Sequence, residues 1–153
     1  MGGFGTWPVG EPIPFSLRAE AAQVFAFDAF TQNPDRRFDN PNLLRRGDEI
    51  FLIDHETAFS FLYALKVQPQ PWRLEQLAFL EQHVFYLGLK GKPVDLARFA
   101  DALRALSDAK LDSISGEIPE EWKNEKLSNV LSHLKQVRDH ADDFVGQVKG
   151  RLV

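Results

Sequence analysis

The apolar stretch Leu17, Ala21, Val24, Phe25, Ala26, Phe27, Ala29 and Phe30 runs into Asn33-Pro34, and this junction constrains the fold more than any other feature of the chain. Its apolar positions wrap most of the way round a helical wheel. They predict a helix from about Ser16, a residue suited to N-capping, that is buried on several sides. A residue before proline is pushed out of the helical region, so the helix must end there. A polar segment follows, Asn33-Pro34-Asp35-Arg36-Arg37-Phe38-Asp39-Asn40-Pro41-Asn42. Two short apolar runs, Leu43-Leu44-Arg45-Arg46 and Glu49-Ile50-Phe51-Leu52-Ile53-Asp54, then flank Gly47-Asp48 and predict a small β-hairpin.

Downstream the texture is helical, with helices expected over about 56–65, 72–87, 94–107 and 124–152. In the last of these, Leu127, Val130, Leu131, Leu134, Val137, Ala141, Phe144, Val145 and Val148 recur at three- and four-residue steps, so one face packs and the other is solvated. Residues 1–15 read as a loop or arm, with four Gly and three Pro among the first fourteen. No shift in composition divides 16–153, so the expectation is one domain, mainly α with a small β-hairpin.

Composition excludes several functions. With 153 residues, 44% hydrophobic and 26% charged, the chain has the makeup of a folded domain. A net charge of -4 gives it no general footprint for nucleic acid or an anionic membrane, so any polyanion site must be local. Cysteine is absent, which removes disulfides, thiol catalysis and cysteine metal sites. No apolar run approaches the roughly 20 residues that span a bilayer. The first residues lack the basic-then-apolar order of a signal peptide, and a cytoplasmic protein is expected.

Phosphoryl transfer needs a carboxylate to orient or deprotonate the attacking hydroxyl, and oxygen ligands that hold Mg²⁺ against the phosphates. In protein kinases the base is a loop Asp, a metal-binding Asn follows five positions later, and a second metal-binding Asp lies on the next hairpin. Asp35, Asn40 and Asp54 have that order. A loop that folds back aims Asp35 and Asn40 at one point, the hairpin returns Asp54 to it, and oxygen-only ligation suits Mg²⁺. The same residues also read as a polar turn, because Asn-Pro and Asp-rich segments cap and turn chains routinely.

Phe27-Asp28-Ala29-Phe30, Asn33-Pro34-Asp35-Arg36-Arg37, Asn40-Pro41-Asn42-Leu43-Leu44 and Leu52-Ile53-Asp54-His55-Glu56-Thr57-Ala58-Phe59 together resemble the HipA-like protein kinase family. The Asp35-Arg36-x-x-x-Asn40 core is also similar to that of phosphatidylinositol-kinase-like relatives. The resemblance implies the C-terminal lobe of a protein-kinase-like fold, with a catalytic loop over 33–42, a metal-binding hairpin over 43–54 and a helical remainder over 55–153. It implies Asp35 as catalytic base, Asn40 and Asp54 as metal ligands, Asn33 and Asn42 as braces of the loop, and Arg36 or Arg37 on a phosphate or a carboxylate. His55 stands where many protein kinases carry the Phe of Asp-Phe-Gly, so the anchor of the next segment must differ. The implied cofactors are Mg²⁺ and ATP and the implied reaction is Ser/Thr phosphorylation, with a protein among the candidate acceptors. A toxin–antitoxin role is compatible with the resemblance.

The ATP-holding lobe of a kinase brings a glycine-rich loop and a strand Lys paired with a helix Glu. Gly2-Gly3-Phe4-Gly5 follows no strand, and the first lysine is Lys66. The chain is therefore expected to be a C-lobe alone, inactive by itself and completed by a protein partner or by sequence missing from it. The alternative is a non-catalytic binding or regulatory module derived from that lobe. An exposed apolar face built from Phe4, Trp7, Val9 and Ile13 is expected where the other lobe docks or the chain self-associates.

Three further features are weighed. Arg36, Arg37, Arg45 and Arg46 form a basic cluster that is either a solvated loop or a site for an acidic or phosphorylated substrate. His83, His133 and His140 fall on predicted helices, with no neighbours in sequence to complete a zinc site. Ile118-Pro119-Glu120-Glu121-Trp122 reads as a helix start with Trp122 as a core anchor, and Trp72 as another.

Overall fold

Helix α1, Arg18–Thr31, forms from the apolar stretch and is enclosed as expected, with Ala21, Ala22, Val24, Phe25, Ala26 and Ala29 buried. The computed structural model of the protein describes residues 3–64 and 68–153. Ser16 does not cap α1. A 3-10 turn over Phe15–Leu17 leads into the helix, and the Ser16 hydroxyl instead donates to Asp48 Oδ1 at 2.9 Å. At the other end Gln32 takes a left-handed backbone, φ 49°, and the Asn33 N–H returns to the Asp28 carbonyl at 2.9 Å. This six-to-one bond closes the helix after Thr31, ahead of Asn33-Pro34.

The sheet has three antiparallel strands: β1, Gly5–Thr6; β2, Leu43–Arg46; and β3, Glu49–Leu52. The expected hairpin is β2 and β3, with Leu43 opposite Leu52 and Arg46 opposite Glu49, closed at Gly47 with φ 58°. Part of the N-terminal arm is sheet, since Gly5 and Thr6 pair with Arg45 and Leu44. The Trp7 N–H then donates to the Leu43 carbonyl at 3.0 Å, and its ring is buried edge-on against Phe85 at 5.2 Å. Trp7 is therefore core, which corrects the expected apolar face: Phe4 and Val9 stay exposed, while Ile13 packs against Gly88.

Beyond the hairpin the helices are α2, Tyr86–Leu89; α3, Ala97–Arg104; α4, Asp108–Gly116; α5, Glu125–Asp139; and α6, Ala141–Arg151. Helices α2, α5 and α6 all touch α1. Three of the expected helices change. The one over 56–65 shrinks to a 3-10 turn at Ser60–Tyr63, because Phe59 and Ser60 donate sideways to the Thr31 and Gln32 carbonyls; its end, with Lys66, lies outside the described residues. The one over 72–87 is a 3-10 turn, Ala78–Gln82, then extended backbone at His83, then α2. The one over 124–152 breaks at His140, whose Nδ1 bonds the Gln136 carbonyl at 2.9 Å and whose ring stacks on Trp72 at 3.6 Å. The last helix starts where expected, and Asn124 caps α5 by accepting from the Lys126 and Leu127 N–H groups. Trp122 is not a core anchor, being 67% exposed at a short 3-10 turn.

Candidate active site

The loop after α1 is pinned from both sides by main chain. Arg37 and Asn40 exchange N–H to carbonyl bonds at 3.0 and 3.2 Å, closing a tight turn. Behind it, Phe38 N–H reaches the Gln82 carbonyl at 3.1 Å, Val84 N–H reaches the Arg36 carbonyl at 3.0 Å, and Arg37 bridges His83. This lateral bonding flanks His83, whose backbone is extended.

Within that frame three sequence-predicted residues converge on Asp35. Its Oδ2 accepts from Asn40 Nδ2 and from Asn42 Nδ2, each at 3.1 Å, and its Oδ1 accepts from Arg37 at 3.0 Å. Asn33 braces the loop through its carbonyl oxygen, which accepts from the Asp35 N–H at 3.2 Å and the Thr57 hydroxyl at 2.8 Å. Asn40 gives its amide nitrogen to Asp35, which leaves its carbonyl oxygen without a hydrogen bond among the described residues. Arg37 also donates to Asp39 at 3.0 Å, and that bond holds the Asp39 carboxyl below its usual range.

Arg36 has a different fate. Its side chain is fully buried, with Nε donating to Asp28 Oδ2 at 2.6 Å. Asp28 also accepts from Arg36 Nη2 at 3.4 Å, Asn33 Nδ2 at 3.3 Å and His83 Nε2 at 3.0 Å, so four donors fill the lone-pair positions of one carboxylate. The Phe85 N–H donates to His83 Nδ1 at 3.1 Å, which places the ring hydrogen on Nε2, facing Asp28. Burial pushes the imidazole below the usual histidine range, against the pull of Asp28. Arg36 Nη1 reaches forward to the carbonyls of Asn42 and Ile53, and Nη2 meets His55 Nε2 at 3.3 Å. The Ile53 N–H closes the neck of the loop on the Asn42 carbonyl at 3.1 Å.

Asp54 follows this neck with an exposed side chain that makes no hydrogen bond among the described residues. Its φ of 55° and that of Asn42, 48°, are left-handed, as are those of Gln32 and Phe59. Asn and Asp adopt that conformation more readily than other non-glycine residues, and Asn42 and Asp54 use it to turn the chain at either side of the neck. Asn40 and Asp54 offer hard oxygen donors of the kind Mg²⁺ takes, one or two at a time alongside phosphate and water. Among the described residues no group of three or more His, Asp or Glu side chains forms a metal cluster.

Asp28, His83 and Thr57 were not among the expected site residues. Asp28 carried a signal: an Asp inside Phe25-Ala26-Phe27-Asp28-Ala29-Phe30 cannot face an apolar interior without donors. The basic cluster resolves into pairs, Arg36 with Asp28, Arg37 with Asp35 and Asp39, Arg45 with Glu11, and Arg46 with Glu49. No helix among the described residues is long and apolar enough to cross a membrane.

No curated protein and no solved structure matches the chain. A family model described as HipA-like kinase matches residues 13–145, a span that contains α1, the Asp35 loop, the hairpin and Asp54. The match covers far more than half of the 153 residues, and the chain belongs to the HipA-like kinase family.

Proposed function

We propose that the chain is the catalytic, C-terminal lobe of a Mg²⁺- and ATP-dependent Ser/Thr kinase, with Asp35 as the base and Asn40 and Asp54 as metal ligands. The observation that carries this reading is the wiring of Asp35: two amides fix one carboxylate oxygen, while a half-exposed guanidinium holds the other. The Arg37 pair is solvent-facing and of the kind worth about 1 kcal/mol or less, so it exchanges readily. Arg37 turns to a phosphate oxygen, and Oδ1 then accepts the hydrogen bond, and finally the proton, of the acceptor hydroxyl. Asn40 Oδ1 and the Asp54 carboxylate would hold the metal, which when bound would supply positive charge against the phosphates.

The nucleotide needs a second lobe. The three strands among the described residues carry no lysine, and this reading takes the phosphate-covering loop and its Lys from elsewhere, in this polypeptide or another. That same observation favours the second reading, a non-catalytic module. Phosphate transfer from ATP and Mg²⁺ to a Ser/Thr acceptor separates the two, measured with the chain alone and with the ATP-holding lobe of a HipA-like kinase added. Turnover is expected only in the mixture, and Asp35→Asn should lower it about 10²- to 10⁴-fold. Turnover by the mixture that survives Asp35→Asn unchanged would remove Asp35 from the chemistry; none under any condition would favour the module.

A further inference from the structure

We propose that His83 is a positioning residue for this site, acting through Asp28 and Arg36 to set where Asp54 stands relative to the Asp35 loop. The inference rests on the kinase reading above and adds to it a residue 55 positions from Asp28 in the chain.

The His83 ring is fixed at both nitrogens, by the Phe85 N–H on Nδ1 and by Asp28 on Nε2, and Phe25 lies edge-on to it at 5.0 Å. It has one orientation and one tautomer. Its Nε2–H fills a position on Asp28 Oδ2, the same oxygen that takes Arg36 Nε. With that position filled, Arg36 is free to direct Nη1 forward onto the Asn42 and Ile53 carbonyls. These two carbonyls border the neck of the loop, and each lies beside a left-handed residue, Asn42 itself and Asp54 after Ile53. The relay therefore runs from the Phe85 main chain through His83, Asp28 and Arg36 to the peptide that leads into Asp54.

Loss of the His83 donor opens an acceptor position on a carboxylate that is wholly buried. The donors at hand belong to Arg36 and Asn33, of which Arg36 Nε already sits on the same oxygen, and turning the guanidinium further toward Asp28 withdraws Nη1 from the neck. The main-chain bridge between His83 and Arg37 does not depend on the side chain, so the loop stays docked while the Asp54 turn is released.

Two substitutions separate the halves of the relay. In His83→Asn the side-chain oxygen replaces Nδ1 as acceptor from Phe85, but no donor reaches Asp28. In His83→Gln the amide nitrogen replaces Nε2 and keeps the bond to Asp28. Mn²⁺ affinity, read by electron paramagnetic resonance on the full chain with urea unfolding of each variant alongside, tests the relay without any turnover. The wild type is expected to bind Mn²⁺ and Asp54→Asn to lose it. His83→Asn should weaken binding about tenfold or more, the scale of lost outer-shell support, and His83→Gln should restore most of it. If His83→Asn does not fold, Arg36→Lys takes its place, since Lys keeps the charge on Asp28 but has no second arm for the neck. Equal Mn²⁺ affinity in wild type and folded variants, whatever their stability, overturns the proposal and leaves the kinase reading standing. A wild type that binds no Mn²⁺ also overturns the proposal, while the kinase reading falls only if the mixture with the ATP-holding lobe shows no turnover either.

Discussion

Arg36 and Arg37 are adjacent, identical in kind, and unlike in everything that their surroundings decide. The Arg36 side chain has no exposure and ends on a carboxylate with no exposure, whereas Arg37 is 37% exposed between Asp35 and Asp39. Sequence spacing brought out Asp35 and Asn40, because a fixed loop length is a one-dimensional property. It left the choice between the two arginines open, because burial is decided by Asp28 and His83, which arrive from an earlier helix and a later strand-like segment. Removing one partner of a buried pair strands the other charge in a medium that cannot solvate it. Arg36→Ala should therefore cost about 3–5 kcal/mol of stability. Arg37→Ala should cost about 1 kcal/mol or less, because water replaces the guanidinium at both carboxylates. Urea unfolding of the two variants reads the difference, and equal costs would contradict the burial assigned to Arg36.

At the scale of elements, what was legible followed the strength of local signals. Helix α1 and the hairpin each had a periodic body and a clear stop or turn within a few residues, although the expected Ser16 cap on α1 bonds Asp48 instead. The helices expected over 56–65 and 72–87 failed where backbone groups bond sideways, Phe59 to Thr31 and Val84 to Arg36, and no periodicity reports such partners. The break at His140 was hidden because the apolar steps continue through it from Val137 to Phe144. His133 shows how α5 is fastened: its Nε2 donates to the Phe30 carbonyl of α1 at 2.7 Å, and its ring stacks on Phe61 at 4.5 Å. Burial lowers its pKa from the ordinary 6.5, as it does for His83. The sign follows from proton counting. As pH falls below 6.5 the unfolded chain takes up protons that the folded protein refuses, so stability is full above that pH and declines beneath it until the folded-state values are reached. Each histidine contributes up to about 1.4 kcal/mol per pH unit in that window. Urea unfolding at pH 7.5 and 5.5 should show the loss, and His133→Phe should flatten part of it. A stability that rises on acidification would contradict neutral burial.

At the scale of the whole molecule, the proposed site among the described residues is one open face and not an enclosure. Asp35, the amides that hold it and the candidate metal ligands lie on a loop and hairpin held by α1, while the sheet amounts to one pair of four-residue strands and a two-residue third. A nucleotide gripped from one side gains little, because most of its phosphate charge still faces water. Ligand binding makes this measurable, since a ligand at 100 times its Kd adds about 2.7 kcal/mol to the folded state. In a domain of this size that shifts Tm by about 2–4 °C for each kcal/mol. Residues 1–153 with millimolar ATP and Mg²⁺ should therefore melt within about 1 °C of the ligand-free protein, the shift of a ligand no higher than about its Kd. With the ATP-holding lobe added, the shift should reach several degrees and shrink again in Asp54→Asn. A comparable shift from the lone chain would mean that these residues grip the nucleotide unaided, and that the proposed dependence on a second lobe is wrong.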